Sequence, residues 1–417
     1  MKILILGLGS RGDVQPFVAL ALGLTEAGHQ VKLATGTDFR EFVEGRGVDY
    51  FPIRADFSAM ARSEAGKAAI EGKSGKALAT LKSSILPTFR RILDDSWAAA
   101  EGAEAIVFHP KIVGAPDIAE KLGIPAFVAL PMPMLVPTRA FPHPLLPVRN
   151  LGGVVNRLTY SLNQLGLIPF RKLIDRWRRD ALGLPPRKRT IAPGSASLPV
   201  LYAYSSQLIP RPDDWGPSVA LTGSWDLARP DVWEPPDRLL RFLQAGPAPV
   251  YVGFGSMTGS DPEAGTRLVV EALERAGCRG VLASGWGGLS LDDLPDSILG
   301  IESIPHDWLF PRMAAVVHHG GAGTTFAGLQ AGRPTVVCPH FADQPFWGRV
   351  VSRRGVGPSP IPRHSLSAER LAEAIQIATT DHRIRQDAES LRHSLCEEDG
   401  VGNAVRFIES TVLTPSS

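Results

Sequence analysis

Short apolar segments alternate with longer amphipathic segments along both halves of the chain. In the first half the predicted strands are 2–7, 30–35, 48–53, 105–109 and 126–130, and in the second half they are 250–254, 280–284, 299–302, 314–318 and 335–338. Strand and helix in alternation predict a parallel sheet with helices on both faces. We therefore predict an α/β protein with two Rossmann-like doubly wound sheets in tandem, facing a central cleft into which the carboxyl ends of the strands point.

Prolines place the boundary between the halves. They recur between Pro185 and Pro247 and interrupt any long helix there. A chain of 417 residues is long enough for two domains, each with its own core. The predicted organisation is an N-terminal domain over 1–215, a linker over 216–240, a C-terminal domain over 241–400, and a helix with its tail over 401–417.

Composition and charge exclude several classes of protein. The 44 basic and 42 acidic side chains nearly balance, which argues against a nucleic-acid partner. Three cysteines are too few for a disulfide framework, and no apolar run reaches the ~20 residues of a spanning helix. We expect a soluble, cytoplasmic protein, either a monomer or a homodimer. The basic residues over 171–189 leave a weak peripheral membrane contact open, although a solvated helix face is the favoured interpretation.

A glycine-rich loop follows the first predicted strand. Residues 7–12 match G-x-G-x-x-G, the fingerprint of dinucleotide-binding proteins, which makes an NAD-dependent oxidoreductase one hypothesis. Asp13 counts against it, because a carboxylate then stands at the helix N-terminus where a pyrophosphate would bind. The second strand also ends without the acidic ribose ligand. Position alone leaves two roles open for Asp13, a helix N-cap or a general base.

A second glycine loop, over 319–325, carries the stronger signal. Its glycines expose backbone N–H groups at a helix N-terminus, and His319 and Thr324 add polar side chains, a combination that predicts a diphosphate-binding site. A plain strand-to-helix turn would explain the glycines but not two adjacent His and two adjacent Thr. Downstream, Asp343 and Gln344 can accept from and donate to vicinal sugar hydroxyls, although Asp343 could instead cap the next helix.

Together these segments resemble the two-Rossmann-domain (GT-B) inverting glycosyltransferases that use nucleotide sugars, in particular the sterol glucosyltransferases and the vancomycin-group antibiotic glycosyltransferases. The matching segments are 9–16, 284–288, 305–311 and 318–344. The resemblance implies that Asp13 is the catalytic base, that His319 acts with it by contacting the donor diphosphate, and that the N-terminal domain binds the acceptor. The implied donor-binding residues are Ser10, Gly12, Ser256, Trp286, His306, His319, Gly321, Ala322, Gly323, Thr324, Asp343 and Gln344.

The implied activity is transfer of a hexose, with UDP-glucose as the favoured donor, onto a hydroxyl of a sterol, polyketide or other hydrophobic aglycone. No cofactor beyond the nucleotide sugar is implied, and no Asp-x-Asp pair that would hold a metal occurs. Related plant enzymes carry a Trp at the position of Ser303 and a Glu at that of Ala327, so a dTDP-deoxysugar donor remains the main alternative. A nucleotide-sugar epimerase, a non-catalytic sensor and the oxidoreductase are more remote ones.

Overall fold

The fold consists of two units, each built on one parallel sheet. The structure is a computed structural model that describes residues 1–55, 85–148, 150–187, 193–229, 233–254, 262–284, 289–291 and 293–413. The first unit contains residues 1–206, 210–227 and 399–417, and the second contains 207–209 and 228–398. The predicted α/β class with two doubly wound parallel sheets is confirmed.

The first unit has a seven-stranded sheet in the order β3-β2-β1-β4-β5-β6-β7. Its strands are β1 Lys2–Leu6, β2 Gln30–Gly36, β3 Asp49–Ile53, β4 Ala105–Phe108, β5 Ala126–Leu130, β6 Val200–Tyr202 and β7 Val219–Leu221. Its helices are α1 Arg11–Glu26, α2 Arg40–Glu44, α3 Leu86–Ala99, α4 Ala115–Leu122, α5 Gly153–Thr159, α6 Leu162–Leu167 and α7 Arg171–Trp177. The order reverses between β1 and β4, which is where doubly wound sheets bind their ligands.

The second unit has a five-stranded sheet in the order β10-β9-β8-β11-β12. Its strands are β8 Val250–Gly253, β9 Gly280–Ala283, β10 Ile298–Ile301, β11 Ala315–His318 and β12 Thr335–Val337. Its helices are α8 Asp237–Gln244, α9 Pro262–Ala276, α10 His306–Leu309, α11 Ala322–Gln330, α12 Gln344–Arg353, α13 Ala368–Thr380 and α14 His382–Cys396. Here the order reverses between β8 and β11. Across the described residues of both units, every helix is too short or too polar to span a bilayer.

The last helix, α15 Gly400–Leu413, packs in the first unit against α1. Ile408 is fully buried in the cluster that contains Ile3 and Phe17, and Asn403 donates to the Thr222 carbonyl oxygen at 2.9 Å. Gly400 permits this packing, because a Cβ there would lie 2.0 Å from the Ser224 carbonyl oxygen. The C-terminal segment therefore completes the core around the first strand.

Shortening Ile408 tests the contribution of α15 to the first unit. We expect Ile408→Ala to lower the free energy of unfolding by about 2 to 4 kcal/mol, because removing buried aliphatic atoms loses transfer free energy and leaves a cavity. Chemical denaturation followed by circular dichroism measures this. Ile377→Ala, at an exposed position of α13, is the control. Equal losses in the two variants would contradict the packing of α15 against β1 and α1.

Candidate active site

Asp13 lies at the carboxyl end of β1, in the first turn of α1. Ser10 is the N-cap of that helix and Asp13 occupies the third helical position, so the hypothesis that Asp13 is itself the N-cap is wrong. Its Oδ2 accepts from Ser10 N at 2.7 Å, Ser10 Oγ at 3.0 Å and Lys111 Nζ at 2.9 Å. Three donors on one oxygen hold the carboxylate in a single orientation.

His109 and Lys111 reach Asp13 from the loop that follows β4, the strand next to β1. His109 is buried, and its Nδ1 accepts from the backbone N–H of Lys111 at 3.2 Å. Because Nδ1 is an acceptor, the neutral ring carries its proton on Nε2. That Nε2 lies 3.5 Å from Asp13 Oδ1. Oδ2 is thus crowded with donors, whereas Oδ1 has only the imidazole edge beside it among the described residues.

Charge and burial act in opposite directions on this cluster. Burial alone raises the pKa of the Asp13 carboxyl, but the Lys111 ammonium, the His109 ring and the Ser10 N–H together bring that pKa below its ordinary value. Burial, reinforced by Lys111, lowers the pKa of His109 to about 3. At neutral pH Asp13 is therefore an anion paired with Lys111 and touched by a neutral imidazole.

Two other sequence-predicted residues lie in the same turn. Ser10 is exposed and gives both its N–H and its hydroxyl to Asp13, while Gly12 lies in the first turn of α1. Gly9 is the strictest glycine here: its φ is +144°, and a Cβ would lie 2.1 Å from Asp13 Oδ2 and 2.5 Å from Lys111 Nζ. Gly9, the second glycine of the G-x-G-x-x-G fingerprint, thus leaves space for the Asp13–Lys111 pair.

The second glycine loop joins β11 to α11. His318, fully buried, accepts the Gly320 N–H on Nδ1 at 2.9 Å and so fixes the start of the loop. Gly320 has φ +94°, and a Cβ there would lie 2.6 Å from Val337 Cγ1 and 3.0 Å from the Gln344 carbonyl oxygen. Gly321 is the N-cap of α11. The loop therefore packs tightly against β12 and the helix that follows it.

His319 stands over the N-terminus of α11. A Cβ on Gly321 would lie 2.7 Å from His319 Nε2, so the ring covers the N-cap residue closely. Burial, with a smaller contribution from nearby His340, lowers the pKa of His319 to about 4. The imidazole is neutral at physiological pH, and its Nδ1 has no hydrogen-bond partner within the described residues. It can act as a hydrogen-bond donor to a phosphate oxygen, but not as a fixed cation.

The first turn of α11 holds three more predicted residues, Ala322, Gly323 and Thr324. The backbone N–H groups of a first turn have no partner inside their helix, and the helix dipole favours an anion there. Thr324 is partly exposed, whereas Thr325 is buried and donates to the Gly321 carbonyl oxygen at 2.9 Å. Only one of the two adjacent threonine hydroxyls thus remains open for a ligand.

The loop after β12 brings Asp343 and Gln344 to the same edge of the sheet. Gln344 is buried, and its Oε1 accepts from the N–H groups of His340 at 2.8 Å and Phe341 at 3.2 Å. Its amide NH₂ keeps its capacity to donate. Asp343 occupies the N-cap position of α12 without a side-chain capping bond. Ala342, just before it, has φ +55°, an uncommon conformation for a residue with a Cβ and a source of local strain.

His306 begins α10 and stacks on the ring of Phe310, with centroids 4.2 Å apart. Tyr251 of β8 meets His306 edge-on at 5.9 Å. Since all five strands are parallel, His306 belongs to the same carboxyl edge as the loops after β11 and β12. Ser256 and Trp286, the remaining predicted residues, lie outside the described residues.

Comparisons with known proteins agree with this arrangement. The Glycosyltransferase family 28 N-terminal domain matches residues 3–141, and the Erythromycin biosynthesis protein CIII-like C-terminal domain matches residues 287–400. Two Sterol 3-beta-glucosyltransferases of Arabidopsis thaliana are 40% and 38% identical to the chain over 97% of its length, which spans 65% and 67% of theirs. The chain belongs to this glycosyltransferase family. The resemblance inferred from the motifs is confirmed.

Other relatives of this chain differ more in length or sequence. The Sterol 3-beta-glucosyltransferase of Emericella nidulans is 36% identical, and the chain spans 30% of it. Among solved structures, the glycotransferase of kitacinnamycin aligns with a TM-score of 0.68 at 20% identity, covering 98% of each chain. The spinosyn forosaminyltransferase aligns with a TM-score of 0.69 at 16% identity, covering 99% of this chain and 100% of that one. Both share the fold.

Lys111 is a residue of the Asp13 cluster that sequence reasoning missed. A signal existed, because Lys111 follows the strand predicted over 105–109, and the ends of neighbouring parallel strands meet at one edge. What could not be foreseen is that β4 lies directly beside β1, which brings the Lys111 ammonium to Asp13.

Replacing Lys111 tests the electrostatics of this cluster without any activity assay. We expect Lys111→Gln to raise the pKa of the Asp13 carboxyl, because the largest opposing charge is removed while the carboxylate stays partly buried. The ¹³Cγ resonance of Asp13, assigned by its loss in Asp13→Asn, reports that pKa in a pH titration.

Lys111→Arg keeps the charge and serves as the control.

The Asp13–Lys111 pair also makes the stability of the fold depend on pH. Since the folded-state pKa of Asp13 lies below its ordinary value of 3.8, the pair stabilises the fold above pH 3.8 and ceases to do so as the pH falls through the folded-state pKa. An Asp13 titration curve that is identical in the wild type and in Lys111→Gln would refute the assignment.

Proposed function

We propose that this protein transfers a hexose from a nucleotide sugar, with UDP-glucose as the favoured donor, onto a hydroxyl of a sterol or another hydrophobic acceptor, inverting the anomeric carbon. The observation that carries the proposal is the asymmetry of Asp13, whose Oδ2 is held by three donors while Oδ1 has only the His109 imidazole 3.5 Å away. A carboxylate fixed through one oxygen can accept a proton on the other.

The reaction is a single displacement. Asp13 Oδ1 takes the proton of the acceptor hydroxyl as its oxygen forms a bond to the anomeric carbon. The bond between that carbon and the phosphate oxygen breaks on the opposite face, and its electron pair leaves with the nucleoside diphosphate. A general base in this position contributes typically 10²- to 10⁴-fold to the rate.

We propose that the loop over 319–324 binds and stabilises the leaving diphosphate. The first-turn N–H groups of α11, the Thr324 hydroxyl and the His319 imidazole can donate hydrogen bonds to its oxygens. His319 is neutral, so its contribution is directional rather than a point charge. We propose that this loop, and not a metal ion, holds the diphosphate. Gln344 and Asp343 would then hold the sugar hydroxyls.

We propose the acceptor and the nucleotide from the names of the relatives. The plant and fungal relatives are named Sterol 3-beta-glucosyltransferase, which favours a sterol hydroxyl and a glucosyl donor. One structural neighbour, a Streptomyces glycosyltransferase, was solved with thymidine diphosphate, so a dTDP-sugar is the alternative donor. Incubating the enzyme with each donor and a panel of sterols and polyketide aglycones, with product mass as the readout, decides between them.

Asp13→Asn separates catalysis from binding. We expect turnover to fall at least about 100-fold, because the amide cannot take the acceptor proton. Donor affinity, measured by calorimetry, should stay within about twofold, since the proposed diphosphate contacts come from the second unit. Asp49→Asn, at an exposed strand end, is the matched control and should keep full turnover. Wild-type turnover in Asp13→Asn would leave a binding protein or an epimerase as the better hypothesis.

His319→Ala tests the diphosphate site. We expect the dissociation constant for UDP or dTDP to rise about tenfold, the effect of losing one hydrogen bond to a charged group. The titrations are made in EDTA, where the wild type should bind as tightly as in Mg²⁺. His382→Ala, at an exposed position in the same unit, is the control. If His319→Ala binds like the wild type, or if the wild type needs Mg²⁺, the proposed site is wrong.

A further inference from the structure

Phe341 is the most exposed of the Phe, Tyr and Trp residues that the structure describes. It is 38% exposed and lies in the loop after β12, two positions before Asp343. The other large apolar residues with comparable exposure are all aliphatic. None of the hydrophobic core clusters formed by the described residues includes the Phe341 ring. The ring is therefore available to a ligand at this edge of the sheet.

The backbone of Phe341 is held by one buried residue, Gln344. The Phe341 N–H donates to Gln344 Oε1 at 3.2 Å, and the Phe341 carbonyl oxygen accepts from the Gln344 N–H at 3.2 Å. The His340 N–H donates to the same Oε1 at 2.8 Å. Both backbone polar groups of Phe341 are thus satisfied within the loop, which fixes this residue without any contribution from its side chain.

The turn that follows Phe341 is strained. The hydrogen bond from the Gln344 N–H to the Phe341 carbonyl oxygen closes a four-residue turn, whose second residue is Ala342 with φ +55°. Turns with a positive φ at this position favour glycine, because a Cβ is disfavoured there. Among the described residues other than glycine, only Ala342 and Asp293 have a positive φ, and Asp tolerates it better. Strain of this kind is frequent at ligand-binding sites, where the surrounding structure enforces it.

Neighbouring residues place the ring beside the proposed diphosphate site. The His340 ring packs inward and meets buried Phe254 edge-on, with centroids 6.1 Å apart, and it also lies near His319. The next residue, Phe341, is exposed. Because β12 pairs in parallel with β11, the loops that follow these two strands lie at the same edge of the sheet. A sugar bonded to a diphosphate on the loop over 319–324 would therefore lie next to the turn over 341–344.

A hexose needs two kinds of contact from its site. Its hydroxyls surround the ring and require hydrogen-bond partners, whereas its C–H groups form apolar faces. Ligand sites meet such mixed demands with aromatic side chains and a few precisely placed polar groups. An aromatic ring offers a large, flat apolar area. The turn over 341–344 supplies both kinds of contact, a phenyl ring from Phe341 and polar side chains from Asp343 and Gln344.

We propose that Phe341 is a specificity-determining residue for the donor sugar, with its ring against a C–H face of the transferred hexose while Asp343 and Gln344 bind the hydroxyls. The inference rests on the proposed function, in which the second unit binds a nucleotide sugar. An apolar acceptor fits the ring less well, because its proposed base, Asp13, belongs to the first unit, whereas Phe341 shares a turn with the proposed sugar ligands. Phe341 should therefore affect the affinity for the sugar and not the affinity for the nucleoside diphosphate.

Calorimetric titration of the full chain measures this contact. The ligands are UDP and UDP-glucose, with dTDP and dTDP-glucose in parallel. In Phe341→Ala we expect the dissociation constant of the glucose conjugate to rise about tenfold, because the aromatic contact is lost, while that of the free diphosphate stays within about twofold. Phe341→Tyr keeps the ring and should bind like the wild type. Phe341→Leu keeps apolar area without a flat face and should lose affinity for the glucose conjugate several-fold.

Ile377→Ala is the matched control, because Ile377 is 37% exposed on α13 in the same unit and should leave every dissociation constant unchanged. Circular dichroism melting curves establish that each variant is folded. Equal affinity of wild type and Phe341→Ala for the glucose conjugate would overturn the inference and leave the nucleotide site intact. So would a raised KM for the acceptor at unchanged donor affinity. If the wild type binds neither diphosphate, the proposed function itself fails, and this inference fails with it.

Discussion

Parallel pairing of every strand is the constraint on which both candidate sites depend. A parallel strand must be reached by a crossover, so the chain leaves the sheet at the carboxyl end of each strand and returns to the opposite edge before the next strand begins. Where the strand order reverses, two such loops diverge and leave room between them. In the first unit the reversal places the loops after β1 and β4 side by side and so brings Lys111 to Asp13. In the second unit it lies between β8 and β11, and the glycine loop before α11 follows β11 there.

The two glycine loops share an architecture but use the helix N-terminus in opposite ways. In α1 a carboxylate of the chain itself already interacts with the positive end of the helix dipole, because Asp13 lies in the first turn and accepts the Ser10 N–H. The N-cap of α11 is Gly321, which has no side chain to offer, and His319 stands beside it as a neutral donor. The loop before α1 therefore contains an anion held in place, whereas the loop before α11 offers hydrogen-bond donors to which an anion can bind. This difference follows from the residue at the third position of each helix, which is Asp13 in α1 and Thr324 in α11.

Hydrophobic periodicity predicted ten strands close to their observed positions, since buried parallel strands are nearly continuous apolar runs. It missed β6 and β7, because three residues between prolines carry too little pattern. Motif spacing singled out Asp13 and His319 as candidates, but it could not predict that Gln344 Oε1 accepts hydrogen bonds from the loop backbone. Periodicity also cannot tell which side of a helix faces the protein. At Asn156 and Asn163 it is the polar side, a choice made by the loop carbonyl oxygens they satisfy.

Lys111 imposes a compromise on the proposed chemistry. By keeping Asp13 ionised it makes that carboxylate available at every physiological pH, yet the same charge makes the carboxylate a weaker base, further from the basicity at which proton transfer is most effective. His109 cannot compensate, because its buried ring has a pKa of about 3. A weak base takes its proton late, when the acceptor oxygen is already bonding to the sugar. If Asp13 is the base, most of the rate must then come from stabilising the departing diphosphate, where preorganised donors contribute most. The larger part of the proposed rate enhancement would then come from the loop over 319–324.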